Sequence, residues 1–362
     1  MKITRPGKFG DMVNKKFWKN KKVLITGHTG FKGSWLSQIL ISLGSEVFGI
    51  SLKNPVSSPS LYKILNLNKH ITDQKLDITN FERCRKAIRY FSPDIIIHMA
   101  AQPLVKLSYK MPYDTLKTNI IGTLNVLEVA RFQKSVKSIL IVTSDKCYQN
   151  LEQDYSYVES DSMGGFDPYS ASKACAEHIS SSYYNSYFKL DNIGVATARA
   201  GNVIAGGDWS EDRIFPDMIK AWVKNKSIVI RSPRSKRPWQ HVLDVATSYL
   251  KLVESMCSNP GSFSGPWNFG PGPENVKTVL TMVKTSQKYW DGISNYVIKK
   301  DKNLHETKIL KLDTTKAEKM LQIQPIFNYE NAIKNTLEWY KNYYSKNDIV
   351  NFTKNQIQNN IL

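Results

Sequence analysis

Residues 21–52 read KKVLITGHTGFKGSWLSQILISLGSEVFGISL. Val23, Leu24 and Ile25 make the short apolar run of a strand buried on both faces. Gly27, Gly30 and Gly33 follow at three-residue spacing. The first permits a tight turn, the second lets the backbone approach a ligand, and the third lets a helix sit close on the strand. Trp35, Leu36, Ile39, Leu40 and Leu43 recur at helical spacing, so a helix is expected over residues 32–43, with Gly44 as its stop. Val47, Phe48 and Ile50 make a second strand. A helix opening from such a turn binds a diphosphate through free N–H groups and its dipole. The β-α-β setting of the glycines therefore points to a bound dinucleotide.

The pattern continues outward. A loop at residues 53–59 leads to a short strand end at Leu76, Asp77 and Ile78 and a helix over 81–91. Residues 94–99, DIIIHM, make an apolar strand that ends in Ala100, Ala101 and Gln102, small residues suited to lie under a cofactor. A long helix over 113–132 contains Asn119. The strand SILIVT, 138–143, ends at Ser144, Asp145 and Lys146; a helix over 167–187 and a strand over 193–198 follow. Six or seven such repeats before residue 200 predict a doubly wound parallel α/β sheet. Beyond it the glycine-rich 201–212 and scattered short elements predict a smaller mixed α/β cap that closes over a substrate. The expected division is a mobile basic arm at 1–16, a dinucleotide domain at 17–200 plus about 239–255, a cap at 201–238 and 256–344, and a loose Asn-rich tail at 345–362.

The chain has 362 residues, 41% hydrophobic and 22% charged, an ordinary balance for a globular protein with a real core. No run approaches a membrane span and the first 22 residues carry no apolar signal core, so a cytoplasmic protein is expected. Four scattered cysteines without a CxxC pair fit a reducing compartment, and the six histidines show no metal-binding spacing. The net charge of +19 suits phosphate-bearing ligands. It is spread along the chain without a nucleic-acid motif, so no nucleic-acid or membrane partner is expected.

The chemistry centres on DPYSASKACAEH, residues 167–178. Tyr169 and Lys173 are four apart and share one helix face. A phenol is a poor base at its ordinary pKa near ~10; a fixed cation favours the phenolate. The pair can then take a proton from an alcohol as a hydride leaves. Ser144, at a strand end, adds a hydroxyl to the same alcohol.

The phrases TGHTGFKGSWL, VTSDKCY, PYSASKACAE, ARAGNVIAGGDWSEDRIFPD, RPWQHVLD and HETKILKLDTTKA together resemble the extended short-chain dehydrogenase/reductase family, in its NAD-dependent nucleotide-sugar epimerase/dehydratase group, over about residues 17–343. The resemblance implies NAD as cofactor and 4,6-dehydration of CDP-glucose. In that cycle hydride leaves C4, water is lost across C5 and C6, and hydride returns to C6. Tyr169 is then the base, with Ser144 and Lys173 assisting. Asp145, at the mouth of the cleft, is placed to protonate the C6 hydroxyl, which requires a raised pKa. Lys146 stands where related dehydratases carry Glu as the C5 base; it acts as a base only when neutral, and otherwise holds Asp145 or stabilises the enolate.

For the cofactor, Gly27, Gly30, Phe31 and Gly33 form the cradle, His28 and Lys32 are expected at its phosphates, and Asp77 and Ile78 at its adenine end. Ala100, Ala101, Gln102 and Asn119 are expected around it. The second strand ends Ser51-Leu52-Lys53 without the acid that usually binds a ribose 2′-hydroxyl. Lys32 and Lys53 are compatible with a 2′-phosphate; the resemblance favours NAD. For the nucleotide sugar, Asn202 and Arg237 are the diphosphate candidates, with Arg213 and Arg231 behind them and His241 in the pocket wall. His305 and Glu306 are candidates for closing the site. LQIQPIF, 321–327, departs from the family's usual L-G-W-x-P. In relatives the helices bearing Asn119 and Tyr169 pair across a dimer, so a homodimer or a dimer of dimers is expected. The rivals are a nucleotide-sugar 4-epimerase, which needs no acid at Asp145, and a non-catalytic dinucleotide-binding regulator.

Overall fold

The computed structural model describes residues 13–299 and 309–362. Its centre is a seven-stranded parallel sheet. In chain order the strands are β1 (Lys22–Thr26), β2 (Glu46–Ser51), β3 (Thr72–Lys75), β4 (Ile95–His98), β5 (Ser138–Val142), β6 (Gly194–Ala200) and β7 (Gly265–Phe269). Side by side they run β7-β6-β5-β4-β1-β2-β3. The order reverses between β1 and β4, so a crevice opens there beyond the strands' carboxyl ends. β4, β5 and β6 are buried at every position, as strands covered by helices on both faces must be.

Helix α1 (Phe31–Ser42) follows the glycine turn and buries Trp35, Leu36, Ile39 and Leu40. Residues 112–131 form one helical rod with a π turn at Lys117–Ile121; its second half is α2 (Gly122–Arg131). Helix α3 (Pro168–Tyr183) starts on the Asp167 cap, whose carboxylate accepts from Ser170 N and Ser170 Oγ. Helix α4 (Val242–Ser258) returns beneath the sheet and packs on α1, β5 and β6. In the cap, short strands pair: Val203–Ile204 with Gln240–His241, Ile228–Ile230 with Tyr296–Ile298, and Lys236–Pro238 with Val276–Thr278.

Four boundaries differ from expectation. Val13 is buried and Lys15–Trp18 is helical, so the arm does not reach residue 16. The indole N–H of buried Trp18 needs an acceptor and finds Glu254 Oε1 on α4 at 2.7 Å. Residues 76–78 follow β3 rather than forming its end. Gly265–Phe269, expected in the cap, is the edge strand β7 of the main sheet, where Trp267 lies opposite Ala198. The tail is not loose. Helix α5 (Tyr329–Tyr344) is followed by α6 (Ile349–Asn360), which buries Ile349, Thr353 and Ile357. These positions lie on one helix face, and Trp339 Nε1 donates to Thr353 Oγ1 at 2.8 Å.

Candidate active site

The carboxyl end of β5 and the start of α3 bring the expected catalytic residues together. Ser144 caps a 3₁₀ turn, Asp145–Cys147: its hydroxyl accepts from Lys146 N at 3.2 Å and donates to Asp145 Oδ1 at 2.9 Å. Ser144 also stands near enough to the Tyr169 hydroxyl to act on its titration. Ser144, Asp145, Lys146 and Tyr169 all line one cavity of about 1100 Å³ between sheet and cap. Asn202, Arg213, Arg231 and Arg237 line it from the cap side.

The electrostatics follow from burial. Burial raises the Asp145 carboxyl above the usual range, against the pull of Lys146, Ser144 and Arg237. An acid held protonated at higher pH is what a proton donor requires. Burial pushes Tyr169 up to about 12; the nearby Ser144 and the charge of Arg213 work the other way. Lys32 is lowered to about 7 by burial and by the charges of Lys173 and Arg213. Lys146 and Arg237 thus act on Asp145, and Arg213 on Tyr169, a cationic field in the cleft that favours an anionic ligand.

Lys173 departs from expectation. It shares the Tyr169 face, but its amine donates to the Val142 carbonyl at 3.0 Å and burial lowers it to about 8. With the ammonium turned to the sheet, the phenol takes its opposing influence from Ser144 and Arg213.

The turn after β1 fits a dinucleotide. Gly27 has φ +76°, and a Cβ there would stand 2.8 Å from the Ala100 backbone. A Cβ on Gly33 would stand 2.3 Å from the Gly27 carbonyl oxygen. The turn therefore lies flat on the strand end, leaving the first N–H groups of α1 without intrahelical partners. No acid occupies that first turn, and Lys32 does. Gly30 precedes it as the cap, and Phe31 lines the cavity. Ala100 N is fixed by Thr26 Oγ1 at 3.1 Å. Ser51 ends β2, buried. Asp77 is exposed; the Ile78 side chain packs beneath Gly122, leaving only its backbone for an adenine. Ala101 and Gln102 lead away from β4, partly exposed.

Three expected contacts are corrected. His28 points inward, fully buried, with Nε2 3.1 Å from Asp73 Oδ1 and its ring on Gly49, so it is not a phosphate partner. Asn119 is spent on the protein: Oδ1 accepts from Gln102 N at 2.8 Å, and Nδ2 donates to Gln102 O and Ser172 Oγ. It shapes the strand-end loop from behind. His241 caps α4, with Nδ1 accepting from Leu243 N at 3.3 Å, and packs on Trp35 and Phe327 away from the cavity. Burial lowers it to about 3, a neutral core histidine. His305 and Glu306 fall outside the described residues.

A buried network beneath the site was not anticipated. Glu177, two turns after Tyr169, accepts from Thr143 Oγ1 at 2.5 Å, Thr197 Oγ1 at 2.6 Å, and Arg199 Nε and a terminal nitrogen at 2.9 Å each. Arg199 continues to the Tyr148 hydroxyl at 2.7 Å, which donates to Asn268 Oδ1 on β7. The network ties α3 to β5, β6 and β7, and so holds Tyr169 opposite Ser144. An arginine inside the wholly buried strand GVATARA was the available signal.

Residues 24–336 match the family model described as GDP-mannose 4,6 dehydratase. The CDP-glucose 4,6-dehydratase of Salmonella typhimurium is 41% identical over 351 residues, 96% of this chain and 98% of that protein. The dTDP-glucose 4,6-dehydratase of Haemophilus influenzae is 26% identical, over 88% of this chain and 97% of its own. Among solved structures, the dTDP-glucose 4,6-dehydratase of Bacillus anthracis in complex with NAD shares the fold, with TM-score 0.74 and 20% identity over 91% of this chain and 99% of that one. The chain belongs to the GDP-mannose 4,6-dehydratase family of enzymes within the extended short-chain dehydrogenase/reductases.

Proposed function

We propose that this member of the family converts CDP-glucose to CDP-4-dehydro-6-deoxyglucose with NAD as its resident cofactor. The observation that carries the reading is the buried Ser144–Asp145 pair beside Tyr169: an acid with a raised pKa within one residue of the hydroxyl that positions the sugar alcohol. A 4-epimerase uses the tyrosine and serine but has no work for that acid. The near full-length similarity to the Salmonella typhimurium enzyme supports the nucleotide.

When bound, NAD⁺ would supply a hydride acceptor toward C4 and, once reduced, a hydride donor toward C6. Ser144 Oγ holds O4 of the glucose unit while Tyr169 Oη, brought down from its raised pKa by the charge of Arg213 and by the positive charge that bound NAD⁺ would add, takes the O4 proton as the phenolate. The C4 ketone makes the C5 proton acidic. Asp145 donates its proton to the departing C6 oxygen, and water leaves. Lys146 Nζ, in its neutral form, takes the C5 proton as the enolate forms, and the ammonium so made stabilises the enolate and returns the proton to C5 when hydride adds at C6. Lys32 and the N–H groups of α1 hold the cofactor diphosphate, and Lys173 fixes the nicotinamide end of the cleft through its place on the β5 carboxyl end. Asn202 and Arg237, with Arg213 and Arg231, hold the nucleotide-sugar diphosphate. The 4-keto-6-deoxy sugar feeds deoxysugar synthesis for a surface polysaccharide such as an O-antigen.

The same reading makes the chain a cytoplasmic homodimer. Tyr113, Ile121 and Tyr187 stand exposed on the rod 112–131 and the helix after Pro168, and Arg131 packs on Phe132 and Tyr187. A second copy covers this apolar face. The four unpaired cysteines agree with a reducing compartment. Incubation with the CDP-, dTDP-, UDP- and GDP-glucoses tests the activity. A 4-keto product that absorbs in base, formed fastest from CDP-glucose, is expected; recovery of a galacto sugar would make the protein an epimerase.

A further inference from the structure

β2 ends without an acid, yet the neighbouring strand carries one two residues back from the position opposite that end. β3 pairs with β2 so that Gly49 faces Asp73 and Ser51 faces Lys75. Lys75 Nζ lies 2.6 Å from Asp73 Oδ2 and 3.4 Å from Ser51 Oγ, over the Tyr62 ring at 4.7 Å. Asp73 is backed by the Tyr62 hydroxyl, which donates to Oδ2, and by His28, 3.1 Å from Oδ1. The Lys75 side chain keeps 34% of its surface, and Asp73 only 13%. A cation thus reaches the place where a second strand usually presents its ribose-binding acid, while a fixed carboxylate stands directly behind it.

We propose that the Asp73–Lys75 pair on β3 reads the adenosine ribose and makes this chain select a dinucleotide with a free 2′-hydroxyl. The inference rests on the dinucleotide reading of the glycine turn. Lys75 offers a donor to a ribose oxygen. Asp73 cancels its charge, so the site gives no net attraction to a 2′-phosphate, and the carboxylate repels that dianion at short range. Tyr62 and His28 keep Asp73 from turning away. Selectivity is the difference between two affinities, so its cause must act on the phosphate and not on the shared remainder of the cofactor.

Titrating NADH and NADPH into the protein by calorimetry tests the proposal. The wild type is expected to favour NADH at least tenfold. Asp73→Asn frees Lys75, and the preference is expected to fall about tenfold or more, chiefly through tighter NADPH. Adding Lys75→Gln to that variant is expected to remove the gain. If Asp73→Asn does not fold, Lys75→Gln alone carries the test: it strips the cation and leaves Asp73, so NADPH weakens at least threefold relative to NADH. A structural role would weaken both dinucleotides equally. A preference within twofold of the wild type in the variants overturns the proposal. Binding of neither dinucleotide by the wild type overturns it together with the dinucleotide reading.

Discussion

Glu177→Gln probes the buried network most sharply. Glu177 is 2% exposed and Arg199 fully buried, and the carboxylate accepts four hydrogen bonds from three residues. The amide keeps the shape but offers one acceptor oxygen and turns an N–H₂ toward a donor. It also leaves the Arg199 charge uncompensated in the interior. Breaking a buried pair in this way costs about 3–5 kcal/mol. That is a large share of the roughly 5–15 kcal/mol that holds a native protein together. Urea unfolding followed by tryptophan fluorescence reads the loss as a fall of about 1 M or more in midpoint. Adding Arg199→Met to the Glu177→Gln variant removes the stranded charge and is expected to recover about 1 kcal/mol or more, although Tyr148 loses a donor. A single variant within about 1 kcal/mol of wild type, or a double variant worse than the single, would refute the assignment of charge pairing as the force that seats α3.

Tyr169→Phe removes one oxygen and is expected to lose about 100-fold or more in turnover while unfolding at the wild-type midpoint; unchanged turnover would remove the tyrosine from the mechanism. Lys32 stands at about 7 in the free protein, below the ordinary lysine value, so above neutral pH it is mostly uncharged. A diphosphate beside it raises that pKa, so NAD binding near about pH 8.5 takes up about one proton. Calorimetry in buffers of different ionisation heat detects the uptake, and Lys32→Met should abolish it. Gln322 ends the helix Thr315–Leu321 in the left-handed conformation, φ 53°, where the family pattern has glycine. Gln322→Gly is therefore expected to stabilise by about 0.5–1 kcal/mol in urea unfolding; a loss of stability would contradict it.

The sheet was legible because its strands are apolar runs and its first turn is written in glycines. The place of the edge strand was not: the short strand at Trp267–Phe269 reads as part of the cap, and its pairing with β6 at the margin of the main sheet is a long-range register that no local pattern specifies. The last helix hid behind its asparagines, although Ile349, Ile357 and Ile361 already mark one face. Ser144, Asp145 and Tyr169 could be placed because a strand end and a helix start fix their backbones. The directions of His28, His241 and Lys173 could not, because each is decided by a partner from elsewhere: Asp73, Phe327 and the Val142 carbonyl. Glu177 was within reach of the sequence, since it repeats the Tyr169–Lys173 spacing once more. Lys75 beside Ser51 depends on the register between two strands, which no local pattern specifies.

The most direct test follows the hydrogen itself. With CDP-glucose deuterated at C4, the dehydration cycle carries the label to C6 of the 4-keto product within one active site, with no net reduction of NAD. Mass spectrometry and proton NMR of the product locate it. Deuterium at C6 with unchanged NAD is the predicted result; a product without deuterium at C6, or a 4-epimer with the label still at C4, would contradict it.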